Sequence, residues 1–394
     1  MDFSFSRETE ALRQEIRQFI KDYPPEEFPV QAADDFWGNG AYSYEYTRKM
    51  GEAGWLSLTW PKEWGGRGRT ILDKMVVAEE LAYCRAPSAF NLMLDGMSNH
   101  IISHGNDYLR EEILPKIAKG SIVFWLALSE PNAGSDLLAL QTKAEERDDV
   151  FIVNGQKIWS ARAHLSDYGY LITRTDPNVP RHRGLSMFIV DRKLPGITIE
   201  PIINLVGENY HNHVYFDNVE IPKEFLLGKK NEGFFQMLKG LEMDRFWARY
   251  QKPAACKRVL DDLIEYCKNN SRNGRPLYQD TVIRQRLAQT AIEIETCRLA
   301  YYRIAWMLDQ KIPIRYETAL GKTFADEMGQ RLMDLGLEIF GLDGQLEEGS
   351  KSAPFKGLIE KWYLVCRGHT IAGGTVEIMK DTVARMGLGL SKKG

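Results

Sequence analysis

Apolar and polar positions follow three successive rhythms along the chain. Through residues 1–122 the period is helical: Phe5–Tyr23, Tyr44–Gly54, Ile71–Cys84 and Ala89–His104 each carry an apolar stripe. Ser6 stands ahead of RETE, where its hydroxyl can accept from a free backbone N–H, and predicts the first N-cap. Trp60–Gly68 (WPKEWGGRG) reads as a loop. From about Ser121 the rhythm shortens. Ile122–Leu128 is mostly apolar, and Val150–Val153, Tyr170–Thr173, Ser186–Val190, Thr198–Ile202 and Val214–Phe216 read as β segments. Asn154-Gly155 and Pro195-Gly196 predict turns between them. Short strands at this spacing suit a small barrel or a sandwich. After Gly228 the helical period returns in Glu232–Lys252, Ala255–Asn269, Val282–Gln310, Tyr316–Phe340 and Ser352–Cys366. The order is α–β–α, with expected domains at 1–122, 123–230 and 231–394.

At 394 residues the chain is too long for one simple core. Its net charge of −3 gives no electrostatic case for nucleic acid as a partner. Any basic site for an anionic cofactor is therefore local. Cys84, Cys256, Cys267, Cys297 and Cys366 are scattered and form no CxxC pair. That supports neither a disulfide framework nor a metal site, and fits a reducing cytoplasm. The opening MDFSFSRETEALRQEIRQFI lacks the apolar centre of a signal peptide. No apolar run reaches the ~20 residues that span a bilayer, so no membrane span is expected.

Four motifs occur in order: SEPNAGSD (Ser129–Asp136), NGQKIWS (Asn154–Ser160), FDNVEIP (Phe216–Pro222) and IAGGTVEI (Ile371–Ile378). Each alone has an ordinary explanation. A polar turn leaves a strand, a tryptophan packs in a core, and a glycine pair gives a loop backbone freedom. Together, over most of the chain, they resemble the acyl-CoA dehydrogenase family of flavoenzymes. The resemblance implies an α+β fold with an N-terminal helical domain, a small middle β-barrel and a C-terminal four-helix bundle. It also implies FAD as cofactor and an acyl-CoA thioester as substrate. By the same resemblance Leu128 and Ser129 meet the polar edge of the flavin, Ser135 meets CoA, and Trp159 packs on the flavin. The family's threonine near flavin N5 falls on Ala161, with Ser160 one place earlier. Either the Ala161 N–H or the Ser160 hydroxyl carries that contact, and a missing hydroxyl costs about 1 kcal/mol. Thr375 and Glu377 match positions near the adenosine–pyrophosphate part of FAD. SRNGRPL (Ser271–Leu277) leaves Arg272 or Arg275 to meet a pyrophosphate from a neighbouring subunit. By the same resemblance GLEIFGLDG (Gly336–Gly344) also faces FAD from a neighbouring subunit, with Gly341 in a matching stretch and Glu338 where the family has an amide. A carboxylate cannot donate as that amide does.

Most of the family reads EGT where this chain reads Gly373-Gly374-Thr375. The usual catalytic carboxylate is thus absent, while the Gly373 N–H remains as a donor to the thioester carbonyl, with Gly374 beside the substrate. Some branches carry the catalytic glutamate just before the arginine that matches Arg245. This chain has Asp244 there, in LEMDRFWAR (Leu241–Arg249). The stretch also reads as a charged helix face with a Glu242–Arg245 pair. The resemblance makes Asp244 the catalytic base and puts Leu241 and Arg245 at the CoA cleft. Asp reaches roughly 1.5 Å less than Glu, and a base needs about 3 Å to its proton donor. Asp95, in NLMLDGMSNH, is the reserve candidate beside the acyl pocket; its ordinary reading is a polar position on the helix's wet side.

The implied reaction is α,β-dehydrogenation. A carboxylate takes the α-proton, hydride leaves the β-carbon for the flavin, and fixed donors stabilise the enolate-like charge. With no side chain at Gly373, a branched, cyclic or otherwise bulky acyl group is favoured. The IAGGT and NGRPL forms are similar to a bacterial branch acting on cyclic, sterol-derived or dicarboxylic acyl-CoAs, some of whose enzymes combine two homologous chains. A homotetramer, or a heterotetramer with a homologous chain, is expected, with an electron-transferring flavoprotein as acceptor. Two other readings remain open: a non-catalytic or half-site subunit, and a flavin monooxygenase on the same fold.

Overall fold

The computed structural model describes residues 4–38, 40–237 and 246–390, with residues 92 and 93 described by backbone alone. Its helices are α1 (Arg7–Asp22), α2 (Tyr44–Glu52), α3 (Ile71–Tyr83), α4 (Phe90–His104), α5 (Leu114–Ala118), α6 (Lys252–Asn269), α7 (Thr281–Asp309), α8 (Glu317–Phe340), α9 (Leu358–Val365) and α10 (Val376–Thr382). Ser6 caps α1 as its position predicts, accepting from the Thr9 N–H at 3.1 Å. Leu12, Ile16, Phe19 and Ile20 form the buried stripe of that helix.

Packing divides the chain into two compact units, and residues 1–122 are shared between them. One unit is Met1–Ser43, Arg69–Ala89 and Arg245–Gly394; the other is Tyr44–Gly68 and Phe90–Asp244. Within the first unit, α3 packs on α6 and α7. The reason lies at the ends of α3. The Asp309 carboxylate, at the end of α7, accepts from the Ile71 and Leu72 N–H groups at 2.8 and 3.1 Å. Tyr83 donates to Asp261 at 2.9 Å, and Arg85 to Asp262 at 2.7 Å, both on α6. Periodicity marks α3 as a helix but cannot show which neighbours hold it.

The second unit is built on β1 (Phe124–Ala127), β2 (Lys143–Arg147), β3 (Val150–Ala161), β4 (Tyr168–Arg174), β5 (Leu185–Asp191), β6 (Ile197–Ile203), β7 (Asn209–Pro222) and β8 (Leu226–Leu227). The sheet order is β6-β7-β3-β2-β4-β5-β8, with β1 parallel to β4. Trp125, Phe151, Phe188, Val190, Val214 and Phe216 fill its core. Asn154-Gly155 does not turn, contrary to the sequence expectation. It lies inside β3 at a register shift against β7. The Thr142 hydroxyl donates to the Gln156 carbonyl at 3.0 Å and accepts the Gln156 N–H at 3.1 Å. Gly155 has φ 145°, and a Cβ there would lie 2.5 Å from that hydroxyl. The dipeptide thus makes a bulge that lets a neighbouring strand approach.

Candidate active site

In the sheet unit, the end of β1 and the middle of β3 are pinned together. Lys157 is fully buried and donates to the Leu128 carbonyl at 3.0 Å and to Glu130 at 2.8 Å. Glu130 also accepts the Gln141 and Thr142 N–H groups at 2.6 and 2.9 Å. The Ile158 N–H donates to the Ser129 carbonyl at 2.9 Å. Burial pushes the Lys157 ammonium down to about 8 against the pull of Glu130. Burial also acts to raise the Glu130 carboxyl, but the Lys157 charge and the hydrogen bonds outweigh it and hold it below its ordinary value. Leu128 and Ser129 are half-buried on this fixed loop, and Ser135 is exposed further along it.

Two residues past Lys157, β3 breaks register against β7 a second time, between Lys157 and Ser160. Trp159 sits in that break with φ 59° and is 57% exposed. A bulky residue in the left-handed region is a strained outlier. The bulge turns the indole out of the core, where it meets His211 edge to face at 5.7 Å. Burial, and then the nearby Arg162 charge, push His211 down to about 4, so the ring is neutral at physiological pH. Ser160 is buried with an unpartnered hydroxyl among the described residues, and Ala161 beside it is half-buried. Arg162, also left-handed at φ 55°, donates to the Asn209 carbonyl at 2.9 Å and lies over Tyr210.

Asp95 departs from its sequence reading: it is buried in α4, not on a wet face. Ser98 and Asn99 donate to its carbonyl at 3.0 and 2.8 Å. Leu241, Asp244 and Arg245 lie outside the described residues.

In the helical unit, Gly373 and Gly374 have φ 71° and 95°. Both are conformations that side chains rarely adopt. Thr375 caps α10, its hydroxyl accepting the Ile378 N–H at 3.3 Å, and Glu377 is exposed in the first turn. The hairpin of β9 (Ser271–Arg272) and β10 (Arg275–Pro276) turns at Asn273-Gly274, with φ 53° and 77°. It carries Arg272 to the end of α8, donating to the Glu338 and Ile339 carbonyls at 3.0 and 2.6 Å. The Glu338 carboxylate pairs with Arg286. Gly341 follows at φ 66° beside Arg272. Arg275 instead donates to the Gln279 carbonyl at 2.8 Å.

The geometry suits a flat aromatic ligand. An exposed indole is held out on a rigid strand, next to a loop whose backbone is fixed by a buried ion pair. Models of the acyl-CoA dehydrogenase N-terminal, middle and C-terminal domains match residues 6–121, 126–219 and 231–388. The chain belongs to the acyl-CoA dehydrogenase family. It is accordingly an oxidoreductase of a flavin-dependent family acting on acyl-CoA thioesters. Acyl-CoA dehydrogenase FadE26 of Mycobacterium tuberculosis is 29% identical, across 100% of this chain and 99% of that protein. A solved structure described as the Tcur3481-Tcur3483 steroid ACAD is 27% identical, with a TM-score of 0.89 and full coverage of both chains. The ChsE4-ChsE5 complex from Mycobacterium tuberculosis is 28% identical at a TM-score of 0.85, again over the whole of both chains. Among the described residues no helix is long and apolar enough to cross a membrane.

Sequence reasoning did not find the Lys157–Glu130 pair, Arg162, His211 or the buried charges beneath Gly373. Lys157 and Glu130 both stood in the quoted motifs. A lysine and a glutamate in two motifs of one site were the available signal.

Proposed function

We propose that the chain carries out FAD-dependent α,β-dehydrogenation of a branched, cyclic or otherwise bulky acyl-CoA, with Asp244 as base. The observation that carries this reading is the backbone at Gly373. A glutamate there would have to adopt φ 71°, so the conformation, and not only the residue type, disfavours the family's usual base. Among the described residues, a Cβ at this position would meet one neighbour, Lys322 Cε at 3.7 Å. With no side chain at Gly373, the space the usual glutamate would take is left to a bulkier acyl group.

Leu128, Ser129, Trp159, and Ser160 or Ala161 would hold the flavin ring, and Thr375, Glu377, Arg272, Glu338 and Gly341 the rest of FAD. FAD there supplies the acceptor for the hydride that leaves the substrate β-carbon. The Asp244 carboxylate takes the α-proton. The Gly373 N–H donates to the thioester oxygen, where negative charge grows as that proton leaves. The Lys157–Glu130 pair keeps the Leu128–Ser129 backbone from moving in response. Leu241, Arg245, Gly374, Ser135 and Asp95 border CoA and the acyl group. Electrons leave to an electron-transferring flavoprotein, in a cytoplasmic tetramer of this chain or of this chain and a homologue.

Two solved relatives are described by pairs of chains, and one of them as a steroid enzyme. They support the heteromeric form and the bulky substrate, and they keep a half-site subunit as the second reading. The test is an anaerobic titration of the purified chain with acyl-CoAs, following the flavin's long-wavelength band. Ring-bearing thioesters should bleach it, and Asp244→Asn should slow that bleaching at least about 100-fold. Equal or faster bleaching by butyryl- or octanoyl-CoA would sink the bulky-substrate reading. A colourless chain that gains flavin only with a homologous partner would favour the half-site subunit.

A further inference from the structure

Three buried cations converge on one residue just before the Gly373 turn. His369 lies in the short helical stretch Cys366–Thr370, four positions ahead of that glycine. Lys322 of α8 donates to Asp326 at 2.8 Å and to the His369 carbonyl at 3.2 Å. Arg249 grips Asp326 at 2.5 and 3.2 Å and reaches the same carbonyl at 3.4 Å. Lys252 of α6 donates to His369 Nδ1 at 3.3 Å and to the Phe36 carbonyl. Trp37 and Phe36 roof the cluster, each ring centre 3.7 Å from a cation. Burial, then the Lys252 and Arg249 charges, hold His369 neutral.

As a stabilising device this arrangement is poor. Apolar side chains of the same volume commonly stabilise a core as well as a buried ion cluster does. Its placement is more informative. Among the described residues, the methylene next to the Lys322 ammonium is the one group that a Cβ at Gly373 would touch. A turn of two left-handed glycines has no side chain of its own to fix it, and glycine has the most backbone freedom to lose. A donor that acts on a transition state must nevertheless be fixed beforehand.

We propose that Lys322 is a positioning residue for the reaction. Through the His369 carbonyl, and through its contact beneath Gly373, it holds the turn so that the Gly373 N–H faces the thioester oxygen. Asp326 and Arg249 hold Lys322 in turn. This rests on the reading of Gly373 as the thioester donor.

The test compares the flavin-loaded protein with Lys322→Met and with Lys322→Met/Arg249→Met/Asp326→Leu, which removes Asp326 together with both cations that pair with it. Amide exchange of residues 371–375 is read by mass spectrometry, beside kcat, KM and the thermal midpoint. Exchange should quicken about tenfold in each variant that folds. The kcat should fall about 100-fold, with KM moving less than about threefold. The triple variant should regain thermal stability without regaining kcat. Unchanged exchange in the triple variant, or a kcat that returns with the thermal midpoint, would overturn the proposal. Should Lys322→Met not fold, the triple variant decides. Should no acyl-CoA reduce the wild-type protein, the dehydrogenase reading falls by that result alone, while exchange still decides whether Lys322 holds the turn.

Discussion

Trp159 combines two costs that a folding core would avoid, a left-handed backbone and a mostly exposed indole. The left-handed conformation alone costs a non-glycine residue about 1–2 kcal/mol. The exposed ring recovers little of that by burial. Trp159→Gly should therefore leave the flavin-free protein unfolding at or above the wild-type temperature, since glycine accepts the conformation. The same change should raise the flavin dissociation constant about tenfold, the worth of one aromatic stack. A thermal midpoint several degrees lower would make the indole a packing residue and remove it from the site. The motif named this tryptophan, but its strain was not legible in the sequence. The bulge that creates it depends on pairing with β7, some fifty residues further along. Asp95 shows the same limit, because helical periodicity gave it a face and only packing shows that the face is buried.

At the scale of elements, the sheet unit places two histidines in surroundings that favour the neutral ring. His100 of α4 is hydrogen-bonded through Nδ1 to the Tyr170 hydroxyl of β4, which donates its own proton to Met187 at 3.2 Å, and burial, then His104, push the His100 ring from 6.5 down to about 4. His211 of β7 falls from 6.5 to about 4 as well, through burial and then Arg162. Above pH 6.5 both rings are neutral in the folded and the unfolded chain. Between pH 6.5 and 4 the unfolded chain binds protons that the folded chain refuses, so stability falls as pH falls, by about 3 kcal/mol per histidine at most. Below pH 4 that contribution is gone. Thermal melts from pH 7 to 4 should show this decline, and His211→Gln should flatten it by about half. A melt that stays level across the window would mean that these rings already carry protons in the fold. The helices themselves were legible. Ser6, the apolar stripes and the long patterns of α6, α7 and α8 are local signals, and the structure places helices there. The Asn154-Gly155 turn was misread because the Thr142 hydroxyl that converts it into a bulge lies a dozen residues earlier.

On the scale of the whole molecule, the helical unit leaves an apolar line in water. Ile292, Leu299 and Trp306 of α7 are 62%, 53% and 50% exposed. Their spacing of seven puts them along one side of the helix. Single exposed apolar residues need no explanation, but a row of three with a tryptophan at its end does. The proposed tetramer supplies one, since a second copy or a homologous chain can lay a helix against this line. Leu299→Glu/Trp306→Glu buries two carboxylates in such a contact and should break it, because unpaired buried charge costs several kcal/mol. Light scattering should then find the mass falling from four chains toward the 45.2 kDa of one. The flavin should be lost with it, because Arg272, Glu338 and Gly341 match positions that the family uses across a subunit boundary. A tetramer that survives the double substitution would move the contact to another face. A variant that falls apart yet keeps its flavin would place those three residues outside the cofactor site, and would leave their present bonds at the end of α8 as their whole role.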